Sequence, residues 1–275
     1  MTMKGEVTLP VADGLYYEEL GSPTGAPLIF SAGLGGSGSY WRANIDQTDQ
    51  SLDFTEAHRV LLYDHRGTGR SNRALPPQVS VMDMADDMLA VMDATDVAKA
   101  NLVGHAAGAA AALSLAIRHP DRVQTLILVN GWSRADPHFL RCFDARLALL
   151  RDSGPRAYLR AQPLFLYPPD WSSDHAERLA IEDEVHLTHF AGADVYEKRI
   201  AALAAFDVDD RLGDISVPTL VITAADDMLV PPKCGRHLAA HIPGAQLREM
   251  RWGGHACNVT DPETFNRIVL DFLRS

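Results

Sequence analysis

The sequence predicts an α/β fold: a mostly parallel β-sheet flanked by helices and interrupted by one inserted helical cap. Three observations predict it. Short apolar runs alternate with segments of helical period through the first half of the chain, the rhythm of strand–helix–strand units. That rhythm stops from Trp132 to about Phe206, where Arg, Asp and Glu alternate with aromatic and proline residues, and then resumes. One run, VQTLILV at 123–129, is apolar along nearly its whole length, as in a strand covered on both faces.

The elements follow in order. Leu15–Leu20 reads as an early strand, and Pro27–Phe30 as a short apolar strand that empties into a Gly-rich loop. Arg59–Tyr63 is a buried run ending at Asp64. Val81–Ala94 has helical spacing, with Met84, Met88, Val91 and Met92 on one face. Asn101–Val103 is a brief strand stopped by Gly104, and the Ala- and Leu-rich Ala107–Arg118 is a helix ended by His119-Pro120. After the cap, strands are expected at Pro218–Thr223 and Gln246–Met250, and an amphipathic helix at Pro262–Leu273. The expected organisation is a core of residues 1–131 and 207–275 with a cap over 132–206. Ligands of such a sheet bind outside the carboxyl ends of the strands.

Composition narrows the partners. The chain has 275 residues, 47% hydrophobic and 22% charged, with a net charge of −11. That balance is ordinary for a soluble domain and disfavours nucleic acid or an anionic membrane as partner. No run approaches the ~20 apolar residues of a membrane span. The N-terminal MTMKGEVTLP lacks the apolar centre of a leader peptide. Three scattered cysteines, Cys142, Cys234 and Cys257, form neither a zinc motif nor a disulfide framework. The expectation is a cytoplasmic monomer or homodimer acting on a small molecule, with no cofactor and no metal.

The chemistry centres on Gly104-His-Ala-Ala-Gly108, between a strand and a helix. This is the place and spacing of the G-x-S-x-G nucleophile elbow, with Ala106 where the serine would be. A methyl group has no lone pair and no proton to lose, so no acyl-enzyme can form there. Asp227 follows a later strand, and His255 follows the last one, so elbow, acid and histidine stand in the chain order of the α/β-hydrolase triad. Asp226 is a competing acid; the spacing to Pro231 favours Asp227. The loop after Phe30, Ser31 to Trp41, is neither a P-loop nor a dinucleotide fingerprint. In this fold it supplies an oxyanion donor, which makes the backbone N–H groups of Leu34 and Ala107 the candidates. Asp64-His-Arg-Gly-Thr-Gly-Arg-Ser71 is expected to be structural, with Arg66 forking to loop backbone. His105 is expected to pack beside the sheet, and Cys257 to be a packed side chain rather than an alternative nucleophile.

GLGGSGSYW (33–41), YDHRGTG (63–69), the GHAAG elbow, VNGW (129–132), QPLFLYPPDW (162–171) and GGHACNVTDPETFN (253–266) together resemble the RutD family. The resemblance runs from near residue 30 to near residue 266. It implies an α/β-hydrolase fold, an elbow that naturally lacks serine, and a place in bacterial uracil and pyrimidine degradation, hydrolysing aminoacrylate or carbamate.

The mechanism that fits Ala106 is attack by water, with Asp227 orienting His255 and His255 serving as general base or acid. A serine-protease site stripped of triad members still gives ~10³–10⁴-fold over water, roughly 4–5.5 kcal/mol, which is useful for a compound that already decays unaided. Trp132, Arg141 and Tyr167, with Phe165 and Trp171, are the candidates for lining the pocket; the aromatics are alternatively the cap's own core. The main alternative is a noncatalytic protein that binds a metabolite or partner; cofactor-independent oxygenation by a His–Asp base and an esterase inactivated by a Ser→Ala change are further readings.

Overall fold

The computed structural model describes residues 14–275. The N-terminal segment read above for a leader lies outside the described residues. Seven strands form one sheet: β1 Tyr17–Gly21, β2 Ala26–Ser31, β3 His58–Tyr63, β4 Ala100–His105, β5 Val123–Val129, β6 Thr219–Ala224 and β7 Gln246–Met250. Their spatial order is β1-β3-β2-β4-β5-β6-β7, parallel throughout except for β1, which runs antiparallel to β3. The expected α/β fold with a mostly parallel sheet is therefore observed. β1 starts two residues later than the sequence suggested. The Tyr16 N–H is taken by Ser71 Oγ at 2.9 Å instead of a ladder partner.

The helices are α1 Arg42–Ile45, α2 Val81–Ala94, α3 Ala107–Arg118, α4 Pro137–Leu166, α5 Pro169–Asp174, α6 Ala176–Thr188, α7 Ala193–Ala205, α8 Pro232–His241, α9 Cys257–Thr260 and α10 Pro262–Leu273. α2 starts where Ser80 and Asp83 form a reciprocal capping box. Its Met84, Met88, Val91 and Met92 are all buried, as their spacing predicts.

Side chains alternate across the strands, so each strand feeds two cores. Ile29, Leu61, Leu102, Leu126, Leu128 and Val221 pack with α2, α3 and α8. Leu28, Phe30, Val60, Val103, Ile127 and Leu220 pack on the other face, with Trp41, Phe54 and α10. A third cluster, Leu150, Tyr158, Leu159 and Tyr196, joins α4 to α7.

Helices α4 to α7 all lie between β5 and β6. The chain leaves and returns at one point: Arg134 and Asp207 form an isolated antiparallel bridge, and Val208 N–H donates to the Ser133 carbonyl at 2.9 Å. α4 is broken by Gly154, at φ 81°, because Pro155 forbids a helical residue before it.

The sheet topology positions the site. From β2 the chain crosses to β3 on one side, and from β3 to β4 on the other, so β2 and β4 flank the switch point where a crevice opens. Ser31 and Gly104 are register partners there, which brings the Gly-rich loop beside the elbow.

Candidate active site

The elbow has the backbone its sequence predicts. Ala106 sits at φ 51°, ψ −108°, a strained conformation for a residue with a side chain. Its two glycines are steric necessities. A Cβ on Gly104 would lie 2.3 Å from the Gly108 carbonyl oxygen, and one on Gly108 would lie 2.2 Å from the Ser31 carbonyl oxygen. The loop bearing Gly33 closes on the turn, since a Cβ built there would lie 3.6 Å from the Ala106 methyl carbon.

The structure brings Asp227 and His255 together. His255 Nδ1 is 2.8 Å from Asp227 Oδ2, and both side chains are buried. Asp227 Oδ1 accepts the N–H groups of Leu229 (2.8 Å) and Val230 (2.9 Å), so the carboxylate is held on both oxygens. A carboxylate can only accept, so His255 carries a proton on Nδ1, and the neutral ring presents its lone pair on Nε2. That Nε2 has no hydrogen-bond partner among the described residues. Asp226 instead accepts from Gly253 N–H (3.2 Å) and Gly254 N–H (2.9 Å), clamping the loop before His255 without touching its ring.

Two residues hold the His255 backbone. His105 Nε2–H and Asn130 Nδ2–H both donate to the His255 carbonyl at 2.7 Å. Asn130 also accepts the Ala224 N–H at 3.0 Å, tying the ends of β5, β6 and the His255 loop together. Tyr40 stacks on the His105 ring at 5.1 Å and donates its hydroxyl to Asn258 Oδ1 at 2.7 Å. The sequence marks Asn130 and Tyr40 by position, directly after a strand and at the end of the Gly-rich loop, but not the bracing roles they take.

The N–H groups of Leu34 and Ala107 donate to no acceptor among the described residues, which leaves both available to an oxygen of a ligand. The loop that carries Leu34 is braced from behind. Asp64 is fully buried and accepts from the N–H groups of Gly38 and Arg70, each at 2.8 Å, and from Arg70 Nε at 2.9 Å. Thus Arg70 makes the fork to Asp64, while Arg66 pairs with Asp87 at 2.9 Å. Arg199 reaches in from α7: Nε donates to the Leu34 carbonyl (3.3 Å), Nη1 to the Arg66 carbonyl (3.4 Å) and Nη2 to His65 Nδ1 (2.9 Å). Burial lowers the Arg199 pKa to about 10.

The pocket-lining candidates separate. Tyr167 stacks on Trp171 at 4.5 Å, beside Leu166 and Pro168, which touch the Gly254 position. Burial pushes its phenol up to about 12. Trp132 is buried against Phe139 at 4.5 Å, its indole N–H without an acceptor among the described residues. Arg141 lies on the exposed face of α4, because the inward stripe of that helix is Phe139, Cys142, Phe143, Arg146 and Leu150. The buried arginine is Arg146, one that sequence reasoning passed over although it interrupts an apolar stripe. Burial pushes the Cys257 thiol up to about 12, far from a nucleophile's range. A cleft of about 480 Å³ opens elsewhere, between α2 and α7 around Met82, Ile117 and Phe206, and includes none of these groups. Among the described residues no cluster of three His, Cys, Asp or Glu could hold a metal ion, and no helix is long and apolar enough to cross a membrane.

The family described as the alpha/beta hydrolase fold matches residues 26–262. A relative from Caulobacter vibrioides named "Putative carbamate hydrolase RutD" is 51% identical over 269 residues, 97% of this chain and 98% of its own. A relative of the same name from Klebsiella pneumoniae is 46% identical over 90% of this chain and 92% of its own. Among solved structures, the enol-lactonase from Burkholderia xenovorans LB400 superposes with a TM-score of 0.84 at 28% identity, covering 95% of this chain and 96% of its own.

Proposed function

The chain belongs to the RutD family within the alpha/beta hydrolase fold, and from that premise we propose that it hydrolyses a carbon–nitrogen bond of a small labile compound, carbamate or 3-aminoacrylate, releasing ammonia in pyrimidine degradation. The observation that carries the reading is the buried His255–Asp227 pair retained beside an elbow whose side chain is the methyl of Ala106. A site built for a serine nucleophile would have no use for the pair without the serine. A site that activates water does.

Water takes the volume a serine hydroxyl would fill. His255 Nε2 accepts a proton from it as its oxygen attacks the carbon bearing nitrogen. The N–H groups of Leu34 and Ala107 hold the substrate oxygen and any negative charge it gains. His255 then returns the proton to the departing nitrogen, the C–N bond breaks, and ammonia leaves. Asp227 keeps the imidazole in the Nδ1–H tautomer and stabilises its charged form. The helices over residues 132–206 form the cap that closes the pocket, with Trp132 and Tyr167 in its wall. In this reading the protein acts in the cytoplasm as a monomer or homodimer, without a nucleic-acid partner; the net charge of −11 supports the last point.

The test is ammonia release from freshly generated carbamate and aminoacrylate, timed against spontaneous decay. Wild type should exceed background, and His255→Ala should fall back to it. If wild type merely equals background, the hydrolase reading fails. If both proteins exceed background equally, His255 is not the base.

A further inference from the structure

Arg146 is a buried cation without a counter-ion. It is 2% exposed, and no carboxylate forms a salt bridge with it among the described residues. Its Nη2 donates to Tyr158 Oη (2.9 Å) and Gln162 Oε1 (2.6 Å), both neutral. The aromatic faces of Phe143, Tyr158 and Phe165 lie 4.9, 5.2 and 5.6 Å from the guanidinium carbon. Its Nε–H is sealed from solvent, and among the described residues neither it nor Nη1 has an acceptor. A guanidinium with a sealed, unpaired Nε–H among aromatic faces is costly unless an anion completes it.

Its surroundings point to the catalytic loop. Cys142, one turn earlier on the same face of α4, lies 3.8 Å from the Met228 carbonyl, next to Asp227. The fields of both Arg146 and Asp227 reach the Cys142 thiol, whose pKa burial raises. Phe165, stacked on Arg146, precedes Leu166, whose carbonyl accepts the Ala256 N–H at 3.0 Å beside His255. The neighbours of the guanidinium all belong to α4, and that helix touches the Asp227 loop through Cys142, the His255 loop through Leu166 and, through the cluster that contains Tyr158, Leu34.

We propose that Arg146 is the anion anchor of the active site, receiving the carboxylate of a small monocarboxylate substrate while His255 addresses the carbon–nitrogen bond. The proposal rests on the hydrolase reading for the identity of the reaction, but not for the binding event. Charge-assisted hydrogen bonds are the strong ones, and arginine is suited to a carboxylate. One fixed cation also explains how an acidic protein admits a small anion.

Propionate and its neutral isostere propionamide separate charge recognition from size, and calorimetry reads both. Wild type should bind propionate at least about tenfold more tightly than propionamide, and Arg146→Met should weaken propionate by about ten- to a hundredfold while leaving propionamide unchanged. Arg146→Lys should keep part of the binding. On wild-type protein, NMR of the arginine Nε–H groups should show the Arg146 signal moving with propionate and not with propionamide; this reading holds even if the variants fail to fold. Equal binding of the two ligands by wild type, or a stationary Arg146 signal at saturation, overturns the proposal. Wild-type hydrolysis no faster than background would sink the hydrolase reading alone and leave the propionate result standing.

Discussion

His105 donates its Nε2–H to the backbone carbonyl of His255 across 2.7 Å, with the two rings 4.8 Å apart. The residue before Ala106 thereby fixes the backbone of the residue proposed as the base. Burial, together with the neighbouring His255, pushes the His105 pKa down to about 3, so the ring stays neutral, with Nδ1 left unpartnered. Burial also pushes His65 well below its usual value and lowers His58.

These three histidines make stability depend on pH. In the unfolded chain each takes up a proton near pH 6.5, whereas the folded chain refuses it. Their contribution is complete above about pH 6.5 and is lost as pH falls towards the folded values, with a slope of up to about 1.4 kcal/mol per pH unit for each histidine. Urea midpoints should fall steadily between neutral pH and about pH 5. His105→Leu should flatten that fall; an unchanged slope would mean that His105 titrates normally in the folded protein.

Ala106→Ser should create an esterase. The strained backbone, the His255–Asp227 pair and the free N–H groups are already in place, so the hydroxyl is the missing part. Slow turnover of an activated neutral ester, with a burst of acyl-enzyme, is the expected result. Complete absence of acylation would show that His255 Nε2 is not directed at the elbow.

The two adjacent acids should fail differently. Asp227→Asn disturbs the tautomer of His255 and should remove most hydrolysis above background, while the melting temperature changes modestly. Asp226→Asn loosens the Gly253–Gly254 turn and should cost about 1–3 kcal/mol of stability, with a smaller effect on the chemical step. Comparing single-turnover rates with melts of both variants decides between them.

Arg199→Lys should disturb the Leu34 loop, the proposed oxyanion donor, from behind. One ammonium cannot reach the three acceptors at Leu34, Arg66 and His65 that the guanidinium fork spans. The expected outcome is a loss in kcat/KM of about tenfold and a stability loss of about 1–3 kcal/mol. Unchanged kinetics would mean that the Leu34 carbonyl is held well enough by its own turn.

Much of this was legible because small residues mark steric necessity. Gly104 and Gly108 flag an elbow whether or not a nucleophile stands between them, and the strand ends that carry Asp227 and His255 are announced by apolar runs. Long side chains were less legible. Arg66 and Arg70 occupy one turn, and nothing in their spacing says which of them reaches Asp64. On α4, Arg141 stood near aromatic residues in sequence, yet the helical period turns it outward and Arg146 inward. The deciding information was the phase of the helix, which the apolar stripe at Phe139, Cys142, Phe143 and Leu150 contains. The bracing by Arg199 depends on elements far apart in the chain and has no local signature, while Asn130 is marked only by its position directly after β5.

The bridge between Arg134 and Asp207 has a genealogical consequence. A segment that departs and returns through paired residues, whose Cα atoms in such a bridge are about 5 Å apart, is a cassette. Two cuts would exchange it without cutting a strand, but the incoming segment must restore what Arg199 gives to the Leu34 loop and what Leu166 gives to Ala256. Swapping the segment between relatives should therefore transplant substrate preference while the base, the elbow and the sheet stay with the host, so the two parts of the chain are free to have separate evolutionary histories.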